Sequence, residues 1–216
     1  MRQFFLIFLC GLGLAACAPQ GPAPARHDAA LEALFVELEQ ADEASAAGIE
    51  ARIWSRWADS GSPTVNILLE RANAAETAGD AELAERFLDQ ASDLAPDYAE
   101  TWNRRANLYY STDDYPGAIA AIQETLKREP RHFGALAGLG LIYEELGQQR
   151  QALEAFRAAL VIHPHYEVAL QGVHRLEPRV DGREVELRMG SLFSRDERRV
   201  VIELAANLDA GTIQGI

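Results

Sequence analysis

The chain repeats itself every 34 residues, with apolar and small side chains at fixed positions and a proline at the end of each copy. The middle copy contains Trp102, Ala106, Tyr109, Ala118, Ile122, Leu126 and Pro130. The following copy contains Leu136, Gly140, Tyr143, Ala152, Phe156, Leu160 and Pro164, and the preceding copy contains Leu68, Ala72, Ala75, Ala84, Leu88 and Pro96. A unit of this length cannot bury its apolar face alone, so the period predicts a stack of similar units.

Each copy has the pattern of two helices joined by a tight turn. The apolar positions are three and four residues apart, which places them on one face of a helix. Pro96, Pro130 and Pro164 are expected to end the second helix of each copy. Gly79 and Gly147 suit the turn between the two helices.

This pattern resembles the tetratricopeptide repeat (TPR) family, and the third copy matches it best, with Gly140, Tyr143, Phe156 and Pro164 at family positions. The resemblance implies an all-α, right-handed α-solenoid of helix hairpins, with three repeats over residues 64–164. It implies that the small residue of each first helix, Gly140 in this copy, allows a close approach to the second helix. It also implies that the first helices line a concave groove, which holds an extended segment or a helix of a partner protein.

The segments on either side of the repeats are expected to cap them. Residues 28–63 predict a degenerate helix pair with two apolar stripes, made of Leu31, Leu34, Phe35 and Leu38 and of Ile53, Trp54 and Trp57. Residues 165–178 continue the phase of the repeat as a capping helix, with Pro178 as its end. Residues 179–216 leave the pattern and form an extension. There Val185, Leu187 and Met189 alternate with charged residues, which favours a β-hairpin.

Residues 1–16 have the features of a signal peptide. Arg2 precedes an apolar run over residues 4–14, which is too short to span a bilayer. The run Leu-Ala-Ala-Cys that ends at Cys17 resembles the lipobox of bacterial lipoproteins, which implies that Cys17 becomes the acylated first residue of the mature chain. An ordinary signal peptide with an incidental Cys17 is the alternative.

The residues that follow Cys17 indicate where in the cell the mature protein is expected. Residues 17–27 are rich in proline and predict a flexible tether after the lipidated cysteine. Ala18 stands where lipoproteins retained at the inner membrane commonly have Asp. The resemblance therefore implies the bacterial cell envelope, at the outer membrane and facing the periplasm.

The charge and the cysteine count exclude several classes of function. Lys and Arg number 20 against 33 Asp and Glu, a net charge of −13. Such an acidic chain repels nucleic acid and anionic lipid, so membrane contact would come from the lipid anchor. The two cysteines, Cys10 and Cys17, both lie in the first 17 residues, which leaves none for a disulfide or a thiolate metal site in the mature chain.

Catalytic motifs are not recognisable in the sequence. The run His163-Pro164-His165 flanks a turn and has no third metal ligand nearby. Glu144 and Glu145 lie in or beside a turn, which favours solvated side chains over a catalytic pair. We therefore expect a protein that is not an enzyme and that needs neither a cofactor nor a metal.

The phase of the repeat identifies the side chains that face the groove. They are Asn66, Leu69, Asn73 and Glu76 in the first copy, Glu100, Asn103, Asn107 and Tyr110 in the second, and Gly134, Ala137, Leu141 and Glu144 in the third. Eight of them are assigned to partner binding: Asn66, Leu69, Asn73, Asn103, Asn107, Tyr110, Ala137 and Leu141.

Asn73 and Asn107 occupy the same position in successive copies. An amide both donates and accepts, so the pair could hold the backbone of a bound peptide or helix. The alternative is that both are solvated polar residues. A carboxylate-binding clamp known in some family members is not expected here, because Leu69, Gly134 and Gly138 replace its cationic residues.

These observations predict a lipid-anchored periplasmic adaptor that binds a protein partner through its concave groove, in the assembly of the cell envelope. A basic or amphipathic partner suits the acidic edges of the groove. The alternative is a self-associating structural lipoprotein or an envelope ligand-binding protein, in which residues 179–216 carry the interaction.

Overall fold

The computed structural model describes residues 28–180, which form α-helices joined by short turns. The helices are α1 (Ala29–Glu39), α2 (Glu43–Ala58), α3 (Pro63–Thr77), α4 (Ala81–Leu94), α5 (Ala99–Ser111), α6 (Tyr115–Arg128), α7 (Phe133–Glu145), α8 (Gln149–Ile162) and α9 (Glu167–Val180). The signal peptide, the tether and the hairpin around Val185, Leu187 and Met189 lie outside the described residues and stay predictions.

The three repeats are the helix pairs α3–α4, α5–α6 and α7–α8, and each second helix also packs on the first helix of the next pair. The second helices end at Leu94, Arg128 and Ile162, two residues before the prolines that were predicted to end them. The all-α solenoid that the resemblance to the repeat family implied is confirmed.

The turn inside each repeat places one residue in the left-handed region of backbone conformation. The φ angles are 76° at Gly79, 60° at Asp113 and 71° at Gly147. Glycine adopts this conformation without the steric cost that a Cβ brings. In the first repeat Asp80 follows the turn, and its carboxylate accepts a hydrogen bond from the backbone N–H of Leu83 at 3.0 Å. This bond satisfies one free donor at the beginning of α4.

The ring of Phe156 is held between two glycines. A Cβ at Gly140 would lie 2.6 Å from the ring, and a Cβ at Gly172 would overlap the other side of the same ring. The predicted close approach of α7 to α8 at Gly140 is therefore confirmed. Gly172 allows the same approach from α9, which lies after the last complete repeat.

The prediction that Pro178 ends the last helix is wrong, because α9 continues to Val180. Proline lacks one backbone N–H and clashes with the preceding turn, so it breaks a long helix. Pro178 stands in the final turn, where only two residues follow it in the helix, and the lost hydrogen bond is a single one.

The N-terminal helix pair α1–α2 is present where it was predicted, but it does not continue the stack beside the first repeat. Its apolar side chains, among them Leu38, Ile53 and Trp57, belong to the same core as those of α5–α9. The first repeat has a smaller core of its own, to which α5 adds Leu108. The pair therefore folds back over the second and third repeats.

One face of the first repeat is left open as a result. Ile67 of α3 is 49% exposed. The residues at the same position of the next two repeats are Thr101, which is 0% exposed, and Ala135, which is 2% exposed. The position that is covered in the second and third repeats is therefore open in the first.

Candidate protein-binding site on the concave surface

The first helices α3, α5 and α7 carry two rows of side chains along the concave surface. We define the covered row as the positions near the beginnings of α5 and α7: Glu100, Asn103, Gly134 and Ala137. We define the open row as the positions near the ends of the three helices: Asn73, Glu76, Asn107, Tyr110, Leu141 and Glu144. All but Gly134 are buried in the covered row, and the open row is exposed or half-buried.

The first repeat places its two remaining groove residues differently. Leu69 is buried in the small core between α3 and α5. The side-chain oxygen of Asn66 accepts hydrogen bonds from the backbone N–H and the hydroxyl of Ser60, at 3.1 and 2.6 Å. Asn66 also donates to Asp59 at 3.3 Å. Asn66 therefore holds the linker between α2 and α3.

Helix α2 lies over the covered row. The indole of Trp54 rests on Gly134, where a Cβ would overlap the ring. The indole of Trp57 stacks on His132, with ring centres 4.2 Å apart and an angle of 7° between the planes. The hydroxyl of Tyr98 donates a hydrogen bond to the backbone carbonyl of Trp57. Aromatic contacts of this kind add to the gain from burying apolar area.

A buried carboxylate lies beneath these rings. Glu100 accepts hydrogen bonds from the amide of Asn103 at 3.1 Å and from Nε2 of His132 at 3.4 Å, and it forms an ion pair with Arg104 at 3.3 Å. Nδ1 of His132 accepts from the backbone N–H of Ala135 at 3.0 Å, which leaves Nε2 to carry the proton. The three partners offset the cost of burying the charge of Glu100.

The open row contains a cavity of about 610 Å³ between α3, α4 and α5. Asn73 and Asn107 both line it, and so do Glu76 and Arg104. Ala84 and Leu88 of α4 supply apolar lining. The cavity therefore offers amide donors and acceptors, one charged group of each sign and an apolar wall to whatever enters it.

The far end of the open row is acidic. Tyr110 is 37% exposed, and its ring lies 6.0 Å from that of Tyr115. Partial burial raises the pKa of the Tyr110 hydroxyl above its usual value, and the negative charges of Glu145 and Asp113 raise it further. Glu144 forms an ion pair with Arg175 of α9 at 2.6 Å. A phenol surrounded by carboxylates favours positively charged ligands.

His163 and His165 hold the N-terminal pair. Nε2 of the fully buried His163 lies 3.1 Å from the carboxylate of Glu50, and Nε2 of His165 lies 3.1 Å from the backbone carbonyl of Ala41. Burial lowers the pKa of His163, and the hydrogen bond that His163 donates to Glu50 opposes the shift without reversing it. Within residues 28–180, no group of three His, Cys, Asp or Glu side chains is arranged to hold a metal ion. Among the helices that the structure describes, none is both long and apolar enough to cross a membrane.

Of the eight predicted binding residues, the structure brings Asn73 and Asn107 to one cavity and leaves Tyr110 and Leu141 beside it in the open row. It buries Leu69, Asn103 and Ala137, and it occupies Asn66 with the linker. Their roles in binding stay predictions. Sequence reasoning missed Arg104 as part of the cavity, because that position lies outside the groove phase.

Comparison with known proteins defines the family. A family model described as tetratricopeptide repeat matches residues 69–124 and 103–167. A TPR repeat-containing protein of Rhizobium etli is 38% identical over 153 residues, which cover 70% of this chain and 75% of that protein. The chain belongs to the tetratricopeptide repeat family, a class that typically consists of non-catalytic scaffolds for protein–protein interaction.

Solved structures share the fold at low sequence identity. The TPR domain of Arabidopsis OM64 is 22% identical with a TM-score of 0.51, over 54% of this chain and 97% of that chain. The Sgt2 TPR domain of Aspergillus fumigatus is 18% identical with a TM-score of 0.52, over 60% of this chain and 93% of that chain. The first TPR of Spaghetti (RPAP3), solved with an HSP90 peptide bound, is 16% identical with a TM-score of 0.52, over 56% of this chain and 95% of that chain.

Proposed function

We propose that this chain is a lipid-anchored adaptor of the bacterial envelope that binds a segment of a partner protein through the open row. The adaptor carries out no reaction. It holds its partner at the membrane surface, on the periplasmic side of the outer membrane, during assembly of the envelope.

The observation that supports binding most strongly is the cavity shared by Asn73 and Asn107. Their amides stand one repeat apart and are both exposed. An extended segment or a helix end laid across α3 and α5 meets two groups that each donate and accept hydrogen bonds. Such bonds to the backbone hold a partner whatever its side chains are.

The charge of the open row supports a basic or amphipathic partner. Glu144, Glu145 and Asp113 lie around Tyr110 at its far end, and Glu76 lines the cavity at its other end. A segment with Lys or Arg beside its apolar residues complements this end, whereas an acidic segment is repelled.

The first residues of the chain support the anchor. The apolar run over residues 4–14 and the Leu-Ala-Ala-Cys run ending at Cys17 have the composition of a lipoprotein signal. Several acyl chains anchor a protein far more firmly than one. Ala18 after the cysteine supports the outer rather than the inner membrane.

Affinity capture from solubilised envelope, followed by mass spectrometry, tests the binding site. Changing both Asn73 and Asn107 to Ala is expected to reduce capture of the partner about fivefold or more, because each lost hydrogen bond contributes roughly 0.5–1.5 kcal/mol. Gln90→Ala removes a matched amide from the exposed outer surface of α4 and should leave capture unchanged. If the Asn pair proves dispensable and deletion of residues 181–216 abolishes capture, the C-terminal extension carries the interaction instead.

Labelling with a radioactive fatty acid tests the anchor. Cys17→Ala should abolish the label and release the protein from the membrane fraction, because the thiol is the acceptor of the lipid. Cys10→Ala is the matched control and should remain labelled. A Cys17→Ala protein that is still processed and still fractionates with membranes contradicts the proposal.

A further inference from the structure

Helix α2 contacts the repeats through one face, on which an acidic residue and two tryptophans are spaced one turn apart. The carboxylate of Glu50 accepts a hydrogen bond from the indole N–H of Trp54 at 3.0 Å, and it bonds His163 of the third repeat through its other oxygen at 3.1 Å. Residues four and three apart lie on the same side of a helix, so Glu50, Trp54 and Trp57 form one contact face.

The repeats meet this face with a surface shaped for aromatic rings. Gly134 is the second residue of α7, and the absence of a Cβ there makes room for the indole of Trp54. The rings of His132 and Phe133 then enclose the indole of Trp57, with ring centres 4.2 and 5.0 Å away. We call Gly134, His132, Phe133 and His163 the α2 seat.

Helices α1 and α2 form a pair of their own, which a linker of only a few residues, 59–62, connects to the first repeat. The ion pairs from Arg52 to Glu37 and from Arg56 to Asp28 stay within this pair. Outside the seat, the pair contacts the repeats through Glu32, which meets Arg131, and through Ala41, which meets His165. The fit of α2 is also imperfect. The indole N–H of Trp57 is buried and has no hydrogen-bond partner. A buried donor without an acceptor opposes docking, so a different helix can compete for the seat.

We propose that the α2 seat is a helix-binding site that α2 occupies in cis, and that a partner helix binds there by displacing α2. The partner is an amphipathic helix with an acidic residue, an aromatic residue four positions later and a second aromatic residue three positions after that. This site shares Gly134 with the covered row and contains neither Asn73 nor Asn107, and so the inference goes beyond the proposed function and does not depend on it.

A synthetic peptide of residues 41–60, carrying a fluorescent label, is the probe. The full chain with both Trp54→Ala and Trp57→Ala keeps the seat but weakens its resident helix. We expect the peptide to bind this double variant at least tenfold more tightly than the unmodified chain, as measured by fluorescence anisotropy. The same peptide with both tryptophans changed to Ala should not bind.

Two glycines of α7 provide a matched pair of controls. Gly134→Ala, added to the double variant, places a Cβ where the Trp54 ring lies and should abolish binding of the peptide. Gly138→Ala, added instead, meets only Ile122 at 3.9 Å and should leave binding intact. Equal binding by the double variant and the unmodified chain, or no effect of Gly134→Ala, overturns the proposal.

Hydrogen exchange of the unmodified chain decides the matter if the double variant loses its repeats. The amides of α1 and α2 should exchange together and faster than those of α7 and α8, because the pair opens while the repeats stay folded. Exchange of all four helices at a single rate contradicts a separable α2. These measurements do not depend on capture of a partner through Asn73 and Asn107. The proposal for the α2 seat and the proposal for the open row can therefore fail independently.

Discussion

The first and third repeats share one helix hairpin, yet the first has a neighbouring repeat on one side only, whereas the third lies between the second repeat and α9 and under α2. Leu139 and Ile142 of α7 are buried completely or nearly so. Arg71 and Ala74, at the corresponding positions of α3, are exposed. The neighbours of a repeat, rather than its own pattern, therefore decide how much of it is core.

The largest expected difference concerns that shared position. Leu139→Ala should lower the free energy of unfolding by about 2–5 kcal/mol, because it leaves a cavity in a fully buried site. Arg71→Ala should cost less than about 1 kcal/mol, because it removes only an exposed guanidinium that lies 6.0 Å above the Phe87 ring. Urea denaturation of the two variants measures both. Equal losses would show that the first repeat is as enclosed as the third.

A second, smaller effect tests the contact that is special to the third repeat. Gly140→Ala should cost about 1–3 kcal/mol, because its Cβ would lie 2.6 Å from the Phe156 ring. The first repeat has Ala72 and Leu88 at these two positions. We therefore expect the double variant Gly140→Ala with Phe156→Leu to lose less stability than the two single variants lose when their losses are added. A double-mutant cycle measured by thermal unfolding tests this.

Gly138→Ala is the control for that cycle. The residue lies on the same helix, and its Cβ would meet only Ile122 at an ordinary 3.9 Å. Alanine favours the helical conformation over glycine by up to about 1 kcal/mol, so this variant should be as stable as the unmodified chain or more stable. A loss as large as that of Gly140→Ala would refute the role of Phe156.

The smallest expected effect concerns Thr101, at the position that is buried in the second repeat and open in the first. The hydroxyl of Thr101 is buried and has no hydrogen-bond partner, whereas that of the equally buried Thr125 donates to the carbonyl of Ala121 at 2.9 Å. Thr101→Val should raise the free energy of unfolding by about 1 kcal/mol, and Thr125→Val should lower it by a similar amount. Calorimetry of both variants checks the opposite signs.

The 34-residue period predicts the helices and the turns at Gly79 and Gly147, because both follow from spacing within one copy. The resemblance to the repeat family adds the close contact at Gly140. The period does not predict the burial of Asn103 and Ala137. The phase of a helix tells which side faces the groove, but it does not tell what lies above that side.

The 34-residue period does not predict where the N-terminal pair packs either, because it describes only the spacing within one copy. The stripes of Leu38, Ile53 and Trp57 indicate that the pair buries one face, and several surfaces of a solenoid could receive it. Gly134 was the one residue named in the sequence analysis that could have indicated where the pair packs. A glycine at a groove position near the beginning of a first helix makes room for a large ring, and Trp54 is the ring that fills it.

The contacts of the N-terminal pair also lead to an expected order of folding. Glu32 meets Arg131 across 99 residues, Glu50 meets His163 across 113, and Ala41 meets His165 across 124. Within each repeat, by contrast, the two helices that contact each other are neighbours in the sequence. Contacts between distant residues form slowly, because a long loop must close first. We therefore expect the N-terminal pair to dock last, and Trp54 and Trp57 to stay exposed until the third repeat has folded.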